Sequence, residues 1–357
     1  MKAIIFRFCL LLHLLFACNL EVSASSNGEL DISKIVFEHL SDTYEWHIIT
    51  VDGVHYSIPL PIILRSEQTG EWHCFSSSNL TNAMHEGKSD YLGFYYDQEH
   101  HGKIYERLLD GASVRPLDLS ITKNVVQIWI VVILLLVVFL TCARWYKKND
   151  SKRVVPTGLV GSIEMLVMMI NEDVIRSSVG EKHYRAYAPF LLTIFFFLLF
   201  TNVLGLLPIF PGGANVTGNI NVTFCLAFFT MLAINLFGNK EYWKEVFWPD
   251  VPLFLKFPIP IMPVIEMMGL LIKPCALMIR LFANMMAGHA VILSFTCVIF
   301  LGWSISVCMG LGMTIFSFIM MVFMNCLEFL VAFIQAYVFT MLSSVFIGFA
   351  HPEHSSH

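Results

Sequence analysis

Two stretches of this chain are apolar for longer than a bilayer is thick. From Pro263 to about Phe300 the sequence stays largely apolar for roughly 37 residues, ~55 Å as a helix, and residues 304 to 349 repeat the excess. Bilayer hydrocarbon is only ~30 Å thick. Neither stretch has a polar turn at its middle, although Pro274 can kink the first. The simplest arrangement is a pair of long, strongly tilted helices joined near "LGWS" at 301–304. Two conventional hairpins are the alternative.

Composition points the same way. Of 357 residues, 56% are hydrophobic and the mean hydropathy is +0.68, against ~45–50% apolar in soluble domains. A net charge of -5 and the lack of basic runs interleaved with aromatics argue against a nucleic-acid partner. Six of the nine cysteines (Cys142, Cys225, Cys275, Cys297, Cys308, Cys326) sit in apolar runs without CxxC spacing, as small buried hydrophobes do.

The chain divides by composition. Lys2 and Arg7 precede the apolar core "CLLLHLLFACNL", and "VSA" ending at Ala24 offers a small-residue cleavage site, so residues 1–24 read as a signal peptide. Lipid attachment at Cys18 is the other option, with Phe16 a poor residue for it. Residues 25–120 are polar and His-rich, and read as an exported segment with β-hairpin character, turning at Asp52-Gly53. Its histidines (His39, His47, His55, His73, His85, His100, His101) match no metal-ligand spacing.

Residues 121–350 form the membrane domain. The first span is expected at 125–143, and "RWYKKNDSKR" behind it marks the cytoplasmic side. Residues 157–180 read as an amphipathic helix lying on that surface. Further spans are expected at 186–207 and 220–237, with the uncharged loop "IFPGGANVTGN" between them. The long segments 263–300 and 304–349 complete about five passages, and the tail 351–357 ends in the cytoplasm. The expected class is therefore an all-α integral membrane protein carrying a small exported β-containing segment.

Ionisable groups at membrane depth are costly and default to functional hypotheses. In residues 251–350 the acids are Glu266 and Glu328, and the bases are Lys256, Lys273, Arg280 and His289. Asn284, Asn325 and Gln335 add amides. Glu266, Lys273 and Arg280 recur every seven residues, so they share one helical face, which Asn284 extends. Ala276, Ala283 and Ala287 keep that face slim enough for another helix to approach. His289 lies about half a turn away from Arg280, and Glu328 and Gln335 share a face of the next helix. Bland readings stand beside these: Lys256 and Glu266 as interfacial side chains, Asn284 and Gln335 as interhelical hydrogen-bond partners, His289 with Glu328 as a structural pair. Arg280 resists such a reading, because it keeps its proton at any accessible pH and its own helix supplies no acid beyond Glu266. Either Glu328 folds back to it or the acid comes from another protein.

"KPCALMIRLFANMMAGH" at 273–289, with "FIQAYVFTMLSSVFI" downstream, resembles subunit a of F-type ATP synthases. The likeness covers roughly residues 120–350, including "TNVLGLLP" and "TGNINVT". It implies a stationary, non-catalytic proton-channel subunit of a bacterial inner membrane, needing no cofactor. It implies that Arg280 is the stator arginine, Asn284 and Gln335 the associated amides, and Glu266 the upstream acid. It also implies the partners: a rotating ring of c subunits whose carboxylate faces Arg280, the b-subunit peripheral stalk, and the lipid bilayer. Many members carry an acid where this chain has His289 and a histidine where it has Glu328. The two are exchanged here, which suggests that they work as a pair. The family core often has Gly at the position of Ala283, and the exported segment is larger than the family minimum. A secondary ion transporter with an exported sensor domain remains the other functional class, although no internal repeat accompanies it. An intramembrane enzyme would need a nucleophile–base pair or metal motif that these helices lack.

Overall fold

A computed structural model describes residues 41–51, 54–85, 90–97, 102–108, 112–149, 154–207, 212–236, 238–247 and 261–350. The expected signal peptide with Cys18 and Ala24, the turn at Asp52-Gly53, Lys256 and the tail 351–357 lie outside the described residues. The described contacts fall into two units. One draws on Met1–Ile130, Leu204–Val216 and Met286–Glu328; the other on Val131–Val203, Thr217–Met285 and Phe329–His357.

The first unit opens with a small β domain. Strands β1 (Glu45–Val51) and β2 (Val54–Pro59) pair antiparallel up to Val51 and Val54, which is the expected hairpin register. Strands β3 (Pro61–Arg65) and β4 (Trp72–Ser76) pair antiparallel, and the two-residue β8 (Leu117–Asp118) returns to the other edge of β3. Helix α1 (Ser77–His85) follows β4, and β5 (Phe94–Asp97), β6 (Lys103–Arg107) and β7 (Ser113–Val114) form a further sheet. Alternation places Ile62, Leu64, Phe75, Phe94 and Ile104 inward beside Leu80 and Tyr44. Glu106 is buried with them. It accepts hydrogen bonds from Ser66 Oγ (2.5 Å) and the Glu67 amide (2.8 Å), so its carboxylate holds the β3–β4 turn.

Among the described residues, four helices are long and apolar enough to cross a membrane. They are α2 (Lys123–Lys148), α4 (Tyr184–Gly205), α7 (Ile261–Ile305) and α8 (Val307–Phe349). Helix α5 (Ile220–Leu236), at 17 residues, sits at the short end of the range for a span. Helix α2 carries Trp129 near its start, Trp145 and Tyr146 near its end, and Lys147 and Lys148 in its last turn. Those cations complement the carbonyl end of the helix.

Helix α7 is continuous for 45 residues, about 68 Å. This removes the alternative of two hairpins: Pro274 lies inside the helix without ending it. The α7–α8 joint falls at Ser306, two residues past the expected "LGWS". Ser306 Oγ accepts from the Met309 amide (3.3 Å), and a β-carbon at Gly310 would fall 2.7 Å from the Trp303 ring. The chain therefore reverses where a serine supplies an acceptor and glycine admits the indole.

In the second unit, the expected surface helix is α3 (Leu159–Met169) running into a wide π-helical segment, Ile170–Arg176, and a last turn Ser177–Val179. Ile170, Val174, Ile175 and Val179 are buried against Leu191, Phe195 and Leu198 of α4, Leu277 and Leu281 of α7, and Phe339 and Ile347 of α8. Arg176 stays outside, bridging Glu172 (2.8 Å) and Glu181 (2.7 Å). At Gly348 a β-carbon would meet the Ser178 carbonyl oxygen at 2.1 Å, so glycine lets α8 close on this segment.

Candidate functional site

Within the first unit, residues Met286–Ile305 of α7 and Val307–Glu328 of α8 run antiparallel. Trp303 faces Thr314, Thr296 faces Met321, and His289 faces Glu328. His289 and Glu328 are both buried, and His289 Nδ1 lies 2.5 Å from Glu328 Oε1. The other ring nitrogen, Nε2, is 3.3 Å from the carbonyl oxygen of Gly205, the last residue of α4. Carbonyls in the last turn of a helix lack intrahelical donors. The imidazole supplies one, and this orients the ring.

With Nε2–H donating to Gly205, Nδ1 and Oε1 are two acceptors facing each other at contact distance. A single proton must lie between them, on the imidazole or on the carboxyl. The two oxygens of Glu328 have no well-aligned hydrogen-bond donor among the described residues, so the 2.5 Å approach is a close contact rather than an aligned hydrogen bond. Two features bring the carboxylate this close. Antiparallel register sets Glu328 opposite His289, and Gly288 leaves the space: a β-carbon there would fall 2.8 Å from Oε1 and 3.0 Å from Cδ.

The pair continues toward the start of α2. Gly205, whose carbonyl meets His289, packs against Ala214: a β-carbon at 205 would lie 3.4 Å from the Ala214 carbonyl oxygen. The Ala214 amide donates to Gln127 Oε1 (2.9 Å). Gln127 and Asn124, in the first two turns of α2, are buried, and Gln127 Nε2 and Asn124 Oδ1 have no hydrogen-bond partner among the described residues. Buried polar atoms of this kind are ordinarily satisfied by water. Gln127, Gly205 and Gly288 are not among the residues that the sequence singles out. A lone Gln in "VVQIW" was the available signal for the first; the glycines gave none.

The second unit holds the remaining candidates. Arg280 and Asn284 are exposed, as are Ala276 and Ala283 beside them, and no ion pair or hydrogen bond to Arg280 occurs among the described residues. Glu328 is engaged by His289. The seven-residue stripe divides. Lys273 is half-buried, its Nζ 5.4 Å from the centre of the Phe346 ring. It lines a cleft with Thr230, Asn235 and Tyr242. Tyr242, on helix α6 (Lys240–Phe247), donates to Asn235 Oδ1 (3.0 Å). Its hydroxyl is pushed to higher pKa by burial first and by the charge of Glu266 second, which puts Glu266 near the same cleft. Gln335 is buried on α8 without a hydrogen-bond partner among the described residues. Asn202 of α4 accepts from Thr217 Oγ1 (2.8 Å) and donates to the Ala332 carbonyl (3.4 Å).

Residues 125–348 match the family described as ATP synthase A chain. The chain belongs to this family. ATP synthase subunit a of Chlorobium phaeobacteroides is 42% identical over 271 residues, covering 73% of this chain and 74% of the relative. The ATP synthase subunit a of Chloroherpeton thalassium is 39% identical over 270 residues, covering 73% and 75%. That of Pelodictyon phaeoclathratiforme is 43% identical over 250 residues, covering 68% and 69%. The family's helices make the chain a multi-pass membrane protein. Residues 35–120 match a separate family, described as a domain of unknown function (DUF8433). The compositional break near residue 120 thus coincides with the boundary between two families.

Proposed function

We propose that this chain is the stationary proton-channel subunit of a rotary ATP synthase in a bacterial inner membrane, with the segment before α2 outside and the end of α8 at the cytoplasm. The observation that carries the reading is the buried His289–Glu328 contact with one proton between its partners. Groups of this kind exchange protons near neutral pH when burial and a neighbouring charge tune them. The route from Gln127 through Ala214 and Gly205 to His289 supplies one aqueous half-channel. The cleft lined by Asn235, Tyr242 and Lys273, with Glu266 nearby, supplies the mouth of the other.

Arg280 separates the two. Its slim, exposed face of Ala276, Ala283 and Asn284 receives a c-subunit helix, whose deprotonated carboxylate is stabilised opposite the guanidinium. A protonated ring carboxyl enters lipid at far lower cost than a charged one. Because Arg280 holds its own proton, protons cannot pass along it from one half-channel to the other. They must ride the ring, driven by ~2.3 kcal/mol per charge per 100 mV of membrane potential. Asn284 and Gln335 are the amides that the family likeness places beside this passage. The b-subunit stalk holds the chain still, and the chain itself makes and breaks no covalent bond of ATP.

The test is proton movement in inverted membrane vesicles carrying Arg280→Ala, with assembly verified by blotting. The expected result is loss of ATP-driven pumping and a new passive leak through an assembled complex. Normal pumping would overturn the reading.

A further inference from the structure

The domain at 41–120 has an outward sheet face of unusual composition. In the sheet β4-β3-β8, Arg65 is the register partner of both Trp72 and Leu117, and Ile63 is that of Cys74. Leu119 continues the register opposite Ile63, donating to its carbonyl (3.0 Å). Ile62, Leu64 and Phe75 point the other way, into the core. The outer face is therefore Ile63, Arg65, Trp72, Cys74, Leu117 and Leu119. Trp72 is 52% exposed, Leu117 48% and Leu119 58%, which leaves an apolar patch around one cation. Among the described residues the Arg65 side chain makes one hydrogen bond, Nε to the Gly70 carbonyl (3.3 Å), and no ion pair. Glu67 and Glu71 lie in the turn beyond this row.

The neighbouring sheet β5-β6-β7 does not share this character. There Tyr95 donates to Ser113 Oγ (2.6 Å) and the Arg107 guanidinium lies over the Tyr95 ring. Its surface suits water. An outward face of Trp, Leu and an unpaired Arg has the composition of a membrane-interface belt, where indoles sit among headgroups and arginines reach phosphates.

The chain also fixes where this face lies. No free linker separates it from the first span. After Leu119, the Ile121 amide donates to the Pro61 carbonyl (3.1 Å), and the Lys123 amide, at the first residue of α2, donates to the Thr43 carbonyl (3.1 Å). The sheet edge is thus held at the point where the chain enters hydrocarbon, and Trp129, 55% exposed, follows less than two turns into α2. We infer that the outer face of β4-β3-β8 rests on the lipid headgroup layer of the leaflet at which α2 enters, making this domain a membrane-lying collar. An upright sheet would instead put the Arg65–Trp72–Leu117 row about 13 Å from the Pro61 end, out in water.

Fluorescence of the full-length chain in phosphatidylcholine vesicles, with and without brominated acyl chains, tests this. The difference between wild type and Trp72→Phe isolates Trp72, and Trp129→Phe does so for Trp129. The expected result is that the Trp72 signal is lost in brominated vesicles in the same proportion as that of Trp129, and is spared by aqueous acrylamide. Leu117→Glu with Leu119→Glu should reverse this for Trp72 while leaving Trp129 unchanged. Quenching of Trp72 by acrylamide alone would show the face in water. Quenching by neither agent would show it covered by protein. Either result overturns the inference, and neither bears on proton pumping.

Discussion

The carboxylate of Glu328 occupies the space that a β-carbon on Gly288 would need, 2.8 Å from Oε1. Gly288→Ala should therefore push the carboxylate off His289, since a flexible side-chain end yields before backbone does. The helix itself gains ~0.5–1 kcal/mol from replacing an interior glycine. Assembly should be undiminished while pumping falls, on the order of tenfold to a hundredfold for a reacting group displaced by about an ångström. Pumping assays alongside quantitative blotting check this. Full pumping by an assembled Gly288→Ala complex would mean that the close approach is incidental.

His289 and Glu328 should behave as one unit. Either alanine variant removes the partner of the shared proton, so the double variant should be little worse than the worse single. A coupling of ~0.5–3 kcal/mol is the range for groups in contact. The exchange His289→Glu with Glu328→His keeps one acid and one imidazole on the same two helices and should retain measurable pumping. Strict additivity of the single variants would sink the paired relay.

Gln127 should matter to pumping although it lies far in sequence from every ionisable residue of the membrane domain's second half. Gln127→Leu deprives the Ala214 amide of its acceptor, at ~1–3 kcal/mol for a buried donor left unpaired, and dries the route leading to Gly205. Gln127→Glu keeps the acceptor and a polar path. The leucine variant should lose most ATP-driven pumping and the glutamate variant should keep it, measured at matched assembly. Equal activity in the two would remove Gln127 from the proton route.

These relationships show which features the sequence made legible. The membrane helices were readable because hydrocarbon leaves a backbone no partner but itself, so each span announces itself as a local apolar run. Arg280 was readable for a similar reason: its cost is local, whatever it faces. The β1–β2 hairpin followed from a two-residue turn signal. The finer features are non-local. Gly288 matters because Glu328, 40 positions later, arrives opposite its neighbour, and that depends on where α7 and α8 reverse. The reversal at Ser306, two residues later than expected, was set by the fit of Trp303 over Gly310. The Gly205 carbonyl that orients His289 is backbone, which no residue pattern marks. The π-helical segment Ile170–Arg176 departs from the 3.6-residue period on which the surface-helix reading rested. The stripe of Glu266, Lys273 and Arg280 divided because of what packs beside each residue: Lys273 meets Phe346 of α8, whereas Arg280 is exposed.

Tyr44 gives the β domain a predictable alkaline limit. Its hydroxyl donates to Asp118, and burial first, then that carboxylate, push its pKa well above the ordinary range. The unfolded chain releases this proton near pH ~10, and the folded domain holds it to higher pH. Between those values the unfolded state binds fewer protons, so stability is fully present below about pH 10 and declines as pH rises beyond it. Tyr44→Phe removes that titration but also the bond to Asp118, which keeps the Ser120 amide (2.9 Å) as a donor. The variant should be less stable at neutral pH by about 1.5–3 kcal/mol, the usual range for a hydrogen bond to a charged group. Its deficit should shrink as pH rises past ~10, because only the wild type then loses stability through this tyrosine. Proteolytic release of the domain from the full-length chain, followed across alkaline pH beside tyrosinate absorbance, measures both. A deficit that stays constant across that range would mean that the Tyr44 proton is released as readily in the folded domain as in the unfolded chain.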